Sequence, residues 1–226
     1  HTLSTIKHAG IRGPDTHDLL QISREQYLTA LFGDAEQRLK GVLNDPVAIV
    51  RDIAESAGSP VDPAEYRWIA DRRAYRFAES LLRASPATLA ALDCLRHRGK
   101  RLALISNADA MEGAGWAASP FASRFEVAVF SYEVGHMKPE RAIYEHCMRA
   151  LRAEPSACVY VGDGGSDEFD GARAAGIPSI CTTEFTRDIW PEGIAERAAR
   201  ADATVASLAE LCVACGGDDA EERSPA

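Results

Sequence analysis

VYVGDGGSDEFDGARAAG, residues 159–176, is the stretch of the chain that decides the fold. Its first residues continue an apolar run that starts at Ala157 and is typical of a buried strand. Glycines and acidic residues follow, and then Phe169, Ala172 and Ala175 recur at helical spacing. The stretch therefore predicts a buried strand, a sharp polar loop and a helix, which together form one repeat of an α/β protein.

Three further apolar runs occur in the same half of the chain, and helical sequence separates each from the next. Each run is short and rich in apolar residues, as are strands that helices cover on both faces. The pattern predicts an α/β fold with a doubly wound parallel sheet, in which ligands bind beyond the carboxyl ends of the strands. The four runs are RLALI (101–105), FEVAVF (125–130), ACVYV (157–161) and PSICT (178–182).

The loop after the third run concentrates negative charge. Asp163, Asp167 and Glu168 lie within six residues, and carboxylates so close repel one another unless a cation lies between them. Oxygen ligands suit a hard divalent ion, and the glycines at 164 and 165 let the backbone turn close to it. The sequence predicts a metal site at Asp163, with Asp167 or Glu168 as the second acid and Asp167 slightly favoured.

Polar residues also follow the first two runs. Ser106 and Asn107 come directly after the first, and Lys138 stands before a proline a short loop beyond the second. Because the carboxyl ends of parallel strands share one edge of the sheet, we expect these groups to lie beside the acidic loop. A hydroxyl, an amide and an ammonium group around a metal ion would bind a phosphoryl group and neutralise its charge.

The motifs ALISN (103–107), GHMKPERAIYEHCMRAL (135–151) and the stretch quoted first follow one another in this order. Together they resemble the haloacid dehalogenase-like (HAD) hydrolase superfamily. The resemblance implies a Rossmann-like core with a helical cap, and a Mg²⁺-dependent phosphatase that acts on a small phosphorylated metabolite through an aspartyl-phosphate intermediate. In it Ser106 binds the transferring phosphoryl group, Lys138 is the catalytic lysine that steadies the nucleophile and the phosphoryl charge, and the acids after Gly162 hold Mg²⁺.

Two alternatives remain open beside the phosphatase. One is a non-catalytic HAD-like domain that lacks its nucleophile and serves in binding or assembly. The other is a 2-haloacid dehalogenase, a relative that uses the same nucleophile without a metal. The acid-rich loop favours the phosphatase over the dehalogenase, because a metal-free enzyme gains nothing from crowded carboxylates.

The first motif of the family, an apolar strand followed by two aspartates two residues apart, does not occur in the 226 residues. Asp15 and Asp18 have the wrong spacing and do not follow a strand. In the family this strand is central, between the strands that here end at Ser106 and Gly162. We therefore expect the nucleophile upstream of His1. We also expect those two strands not to be hydrogen-bonded neighbours but to be separated by another strand or a gap of roughly 9–10 Å.

The half of the chain before residue 85 contains no convincing strand and predicts about four helices, including ones at 23–40, 44–58 and 64–83. We expect three regions: a helical cap at 1–84, the α/β core at 85–216 and a flexible acidic tail at 217–226. Tyr27 and the arginines at 72, 73 and 76 are cap candidates for contact with an anionic leaving group, and a solvated helix face is the alternative.

Composition limits the binding partners and the cellular compartment that we expect for the protein. A formal net charge of −9 disfavours nucleic acid or an anionic membrane as the main partner. No apolar run approaches the roughly 18 residues of a membrane span, and no leader sequence is evident, so we expect a cytoplasmic protein. The six cysteines are expected to be free thiols, and Cys212-x-x-Cys215 to continue a helical stripe.

Overall fold

The computed structural model describes residues 2–215. The first half of this range is helical and contains no strand between residues 2 and 84, as the sequence predicts. Its helices are α1 (Thr16–Leu19), α2 (Arg24–Gly33), α3 (Glu36–Leu39), α4 (Pro46–Ala57) and α5 (Tyr66–Leu82).

Helix α4 shows how the local sequence sets these elements. The side chain of Asp45 accepts a backbone N–H of the first turn at 2.8 Å, and Pro46 occupies a position whose N–H would have no partner in the helix. Gly58 ends the helix with a φ of 68°, which costs a glycine little. The inner face of α4 packs against α5 in a core that includes Ile49, Val50, Ile53 and Ile69.

The segment 23–40 forms two helices rather than the single helix that its sequence predicts. α2 ends at Gly33 and the chain turns before α3 begins at Glu36. The guanidinium of Arg38 donates to the carbonyl of Leu31, so α3 folds back against the end of α2. Apolar spacing did not reveal this turn, because hydrophobic residues lie on both sides of it.

The second half alternates strands and helices, and its paired strands run parallel. The strands are β1 (Ala103–Ser106), β2 (Val127–Phe130), β3 (Tyr160–Gly162), β4 (Ser179–Thr182) and β5 (Ala203–Val205). The helices are α6 (Pro86–His97), α7 (Ala110–Gly113), α8 (Ser131–Val134), α9 (Arg141–Leu151), α10 (Glu168–Ala174), α11 (Thr186–Ile189), α12 (Ile194–Ala199) and α13 (Leu208–Ala214). The predicted α/β class with a parallel sheet is confirmed.

Strand β5 has no counterpart among the predicted strands. It spans three residues, and two of them are exposed because the strand lies at the sheet edge beside β4. Only Val205 is buried. An edge strand of this length carries no apolar run, so hydrophobic patterning does not detect it.

The sheet is interrupted between β1 and β3. β1 pairs with β2, and β3 pairs with β4, but β1 and β3 are not hydrogen-bonded to each other within the described chain. A cavity of about 1900 Å³ is lined by residues of both strands. All four residues of β1 remain partly exposed, although a central strand covered on both faces would be buried. The expectation that the strands ending at Ser106 and Gly162 are not neighbours is confirmed.

Two cysteines correct the expectation of free thiols. Cys94 of α6 and Cys212 of α13 form a disulfide, with their Cα atoms 6.2 Å apart. Both belong to helices whose apolar faces pack together. The other cysteines of the described chain are free, and of these Cys215 is exposed. Cys212 therefore pairs across the fold rather than with Cys215, a partner that spacing in the sequence does not reveal.

No helix between residues 2 and 215 combines the length and the apolar character needed to cross a membrane. The acidic tail predicted at 217–226 lies outside the described residues.

Candidate active site

The carboxyl ends of β1 and β3 open onto the same cavity. Ser106 is the last residue of β1, and Asp163 directly follows β3. Both line the cavity, as do Lys138 and Glu168. Ser106 and Lys138 thus line the same cavity. That both contact one phosphoryl group stays a prediction.

The side chain of Asn107 holds the backbone of Lys138. Its Oδ1 accepts the Lys138 N–H at 2.7 Å, and its Nδ2 donates to the Lys138 carbonyl at 2.9 Å. The peptide bond from Lys138 to Pro139 is cis. Asn107 therefore places the lysine, using Oδ1 and one of the two Nδ2 protons. The contact with phosphate that the sequence predicts for Asn107 stays a prediction.

Glu168 is the acid that the structure brings to Lys138. Its carboxylate is 2 % exposed, and Oε2 lies 2.7 Å from the ammonium Nζ of Lys138. Its Oε1 accepts the backbone N–H of Gly164 at 2.8 Å. Gly162 makes room for this carboxylate, since a Cβ there would lie 2.1 Å from Oε1. The local reason for a glycine at the end of β3 is therefore the buried acid beside it.

Asp167 does not join this group. Its side chain is 63 % exposed, and its Oδ1 lies 2.8 Å from Nη2 of Arg200. The backbone at Asp167 has a φ of 47°, a left-handed conformation that turns the chain just before α10. The sequence slightly favoured Asp167 over Glu168 as the second acid, but the loop directs Glu168 inward and Asp167 outward.

Asp163 is the second buried carboxylate of the site, with 8 % of its surface exposed. Its Oδ1 accepts the backbone N–H of Gly165 at 3.1 Å. Burial raises the pKa of Asp163, whereas the N–H of Gly165 and the charge of Lys138 act in the opposite direction.

Tyr160 is a member of the site that the sequence analysis did not single out. Its hydroxyl donates to Glu168 Oε2 at 2.7 Å and accepts from Lys138 Nζ at 3.2 Å. Burial and the charge of Glu168 raise the pKa of Tyr160 well above its ordinary value, so its hydroxyl keeps the proton. The sequence analysis assigned this tyrosine to the apolar run 157–161 as a strand residue. Nothing in the sequence indicated that its hydroxyl would contact the charged groups of the site.

Two arginines of the helical half have partners inside the protein. Arg73, 1 % exposed, lies 2.9 Å from Asp109 and 2.8 Å from Glu112, two acids at the start of α7. Arg76 binds the carbonyl of Gly13 at 3.1 Å and the carboxylate of Asp15. These arginines, predicted to contact a leaving group, instead bind groups of the protein. Arg72 packs on the ring of its neighbour at position 75 on the helix surface.

Comparison with known proteins decides the family. A model of the haloacid dehalogenase-like hydrolase family matches residues 7–176, which is more than half of the chain and includes every candidate site residue. The chain belongs to the haloacid dehalogenase-like hydrolases. The resemblance drawn from the three motifs is thereby confirmed.

Curated relatives of this HAD hydrolase include phosphatases. It is 28 % identical over 178 residues to the phosphoserine phosphatase of Thermus thermophilus, covering 74 % of this chain and 63 % of that protein. It is 33 % identical over 116 residues to the glyceraldehyde 3-phosphate phosphatase of Methanothermobacter thermautotrophicus, covering 48 % of this chain and 50 % of that protein. The chain thus spans only about half to two thirds of the length of these relatives.

Solved HAD structures share the fold. The L-2-haloacid dehalogenase of Xanthobacter autotrophicus superposes with a TM-score of 0.64 at 17 % identity, over 96 % of this chain and 95 % of that chain. A HAD phosphatase of Thermococcus onnurineus superposes with a TM-score of 0.59 at 21 % identity, over 89 % of this chain and 85 % of that chain. A HAD family enzyme of Bacteroides thetaiotaomicron superposes with a TM-score of 0.52 at 19 % identity, over 71 % of this chain and 87 % of that chain. That structure is described as a complex with magnesium and inorganic phosphate.

Proposed function

We propose that this chain forms most of a Mg²⁺-dependent phosphomonoesterase that acts on small phosphorylated metabolites. The observation that carries the proposal is the ion pair between Lys138 and the buried Glu168, 2.7 Å apart, in the cavity that Ser106 and Asp163 also line. The phosphatases to which the chain is similar are named for phosphoserine and for glyceraldehyde 3-phosphate, both small phosphomonoesters. Their names support the substrate class.

The donor set fits a magnesium ion. Two buried carboxylates, Asp163 and Glu168, line the cavity together, and the ammonium group of Lys138 lies 2.7 Å from that of Glu168. A carboxylate has about four acceptor positions, and that of Glu168 accepts two hydrogen bonds at Oε2 and one at Oε1. Asp163 and Glu168 would hold Mg²⁺, which when bound neutralises charge on the phosphoryl oxygens.

The other residues have roles that follow from their positions. Lys138 would donate hydrogen bonds to the phosphoryl oxygens and offset their charge. The hydroxyl of Ser106, at the end of β1, would donate a further hydrogen bond to the phosphoryl group. Asn107 holds the Lys138 backbone and so sets where the ammonium group can reach. Asp167, being exposed, would take no part.

The nucleophile belongs in the gap between β1 and β3. An aspartate at the end of a strand placed there would lie between Ser106 and Asp163, and the family resemblance puts this strand upstream of His1. Its carboxylate would attack phosphorus, so that the bond to the ester oxygen breaks and the leaving alcoholate takes up a proton. Water would then hydrolyse the aspartyl phosphate and release inorganic phosphate.

Phosphate release by the full-length gene product tests the proposal. We expect turnover of small phosphomonoesters with Mg²⁺, its loss with EDTA, and its loss in Asp163→Asn although the variant folds normally. Chloride release from a 2-haloacid without Mg²⁺ would instead identify a dehalogenase. A folded protein that turns over neither class would support the non-catalytic alternative.

A further inference from the structure

Tyr160 touches both charged groups of the Lys138–Glu168 pair. Its hydroxyl donates to Glu168 Oε2 at 2.7 Å and accepts from Lys138 Nζ at 3.2 Å, while Nζ itself lies 2.7 Å from Oε2. The three groups form a closed triangle of hydrogen bonds. In such a triangle no member can shift without weakening its bonds to the other two.

Three different elements position this triangle. Tyr160 begins β3, and its backbone N–H is held by the carbonyl of Pro178 at 2.8 Å. Glu168 is the first residue of α10, and Lys138 lies in the loop between α8 and α9. The ring of Tyr160 packs edge-on against Tyr144 at 5.4 Å, which fixes its direction. A strand residue therefore contacts two charged side chains that come from a helix and from a loop.

We infer that Tyr160 is a positioning residue, which holds the Glu168 carboxylate and the Lys138 ammonium group in the arrangement that binds metal and phosphoryl group together. The inference rests on the proposed function. Without the hydroxyl, Oε2 of Glu168 keeps one hydrogen bond instead of two, and Lys138 loses an acceptor. Both partners would then sample other rotamers, and each would lose preorganisation for its ligand.

Tyr144 provides a matched control, since it also donates a hydroxyl to Glu168. Its bond is to the Glu168 backbone carbonyl at 2.6 Å, and it contacts neither the carboxylate nor Lys138 through its hydroxyl. Both tyrosines carry phenol groups with raised pKa values, because the protein around them excludes water. Tyr160→Phe and Tyr144→Phe thus remove the same atom from the same neighbourhood, and only the first removes it from the triangle.

The test compares these two variants with the wild type in the full-length protein, by calorimetric titration with Mg²⁺ and with inorganic phosphate. We expect Tyr160→Phe to raise both dissociation constants about tenfold and Tyr144→Phe to leave both within about twofold. A purely structural role would lower the melting temperature of both variants without changing affinity. Unchanged affinities in Tyr160→Phe would overturn the inference while leaving the proposed function intact.

Failure of the proposed function has a different signature. If the wild type binds neither Mg²⁺ nor phosphate, the phosphatase proposal fails, and crystal structures decide the positioning role. A Tyr160→Phe structure in which Lys138 and Glu168 move apart supports the inference. One in which Nζ stays 2.7 Å from Oε2, as in the wild type, overturns it.

Discussion

Asn107 and Lys138 are joined by two hydrogen bonds, one to the backbone N–H of Lys138 at 2.7 Å and one to its carbonyl at 2.9 Å. Thirty-one residues separate them in the sequence. The pairing ties the end of β1 to the loop that carries the lysine. The lysine is therefore placed by the strand that also carries Ser106.

Asn107→Ala removes this tie and is expected to weaken phosphate binding about tenfold, because the ammonium group of Lys138 is no longer held at one position. Calorimetric titration with phosphate measures the effect. Asn44→Ala, at an exposed asparagine before α4, is the control and should bind like the wild type. Equal affinity in the two variants would contradict the positioning role of Asn107.

Glu168→Gln and Asp167→Asn distinguish the two adjacent acids. We expect Glu168→Gln to lose Mg²⁺-dependent phosphate release by at least about a hundredfold, because it removes a buried charge that Lys138 and the ion both need. Asp167→Asn should keep nearly full activity, since its carboxylate is exposed beside Arg200. Phosphate release at saturating Mg²⁺ compares them, and the reverse order would show that Asp167 is the second acid.

Arg73→Met is expected to lower the free energy of unfolding by about 3–5 kcal/mol, because it leaves the buried carboxylate of Asp109 and the partly buried one of Glu112 without their cation. Arg72→Met, one position earlier, removes an arginine that packs on an aromatic ring at the surface and should cost about 0.5–1 kcal/mol. Urea unfolding of both variants measures the difference. A similar small cost for both would mean that the Arg73 cluster adds nothing to stability.

Glu112 predicts a pH dependence of stability. Burial and the charge of Asp109 raise its pKa in the folded protein above the ordinary value of 4.5. When the pKa of an acid is higher in the folded than in the unfolded protein, the acid stabilises the fold most at pH values below the unfolded pKa. This contribution is lost as the pH rises through the folded pKa. The stability of the wild type relative to Glu112→Gln should therefore fall as pH rises from about 4.5. Urea unfolding of both proteins from pH 4 to 8 tests this, and a constant difference would rule it out.

The gap between β1 and β3 predicts a difference in hydrogen exchange. If a strand lies there in the full-length protein, peptides that cover 101–106 and 159–162 should exchange slowly in that protein and faster in the 226-residue chain. Peptides from β4, which already has a neighbour on each side, serve as the control. Equally slow exchange of the β1 and β3 peptides in both proteins would show that no strand is added.

The sequence by itself determined the class of the fold, most of its strands and the acidic loop. Short apolar runs separated by helical spacing require a covered parallel sheet, and GDGGSDE after a buried run requires a compensating positive group. Both features depend only on residues that are close together in the sequence, so they can be predicted from the sequence alone.

Only the tertiary structure decided which acid faces the site, what the buried arginines bind and which tyrosine completes the triangle. Asp167 and Glu168 are adjacent and chemically alike, and the left-handed turn at Asp167 is what sends one outward and the other toward Lys138. Arg73 meets acids thirty-six and thirty-nine residues away. Such contacts depend on how separate helices and strands pack against one another. Packing joins residues that are far apart in the sequence, so the pattern of neighbouring residues does not predict it.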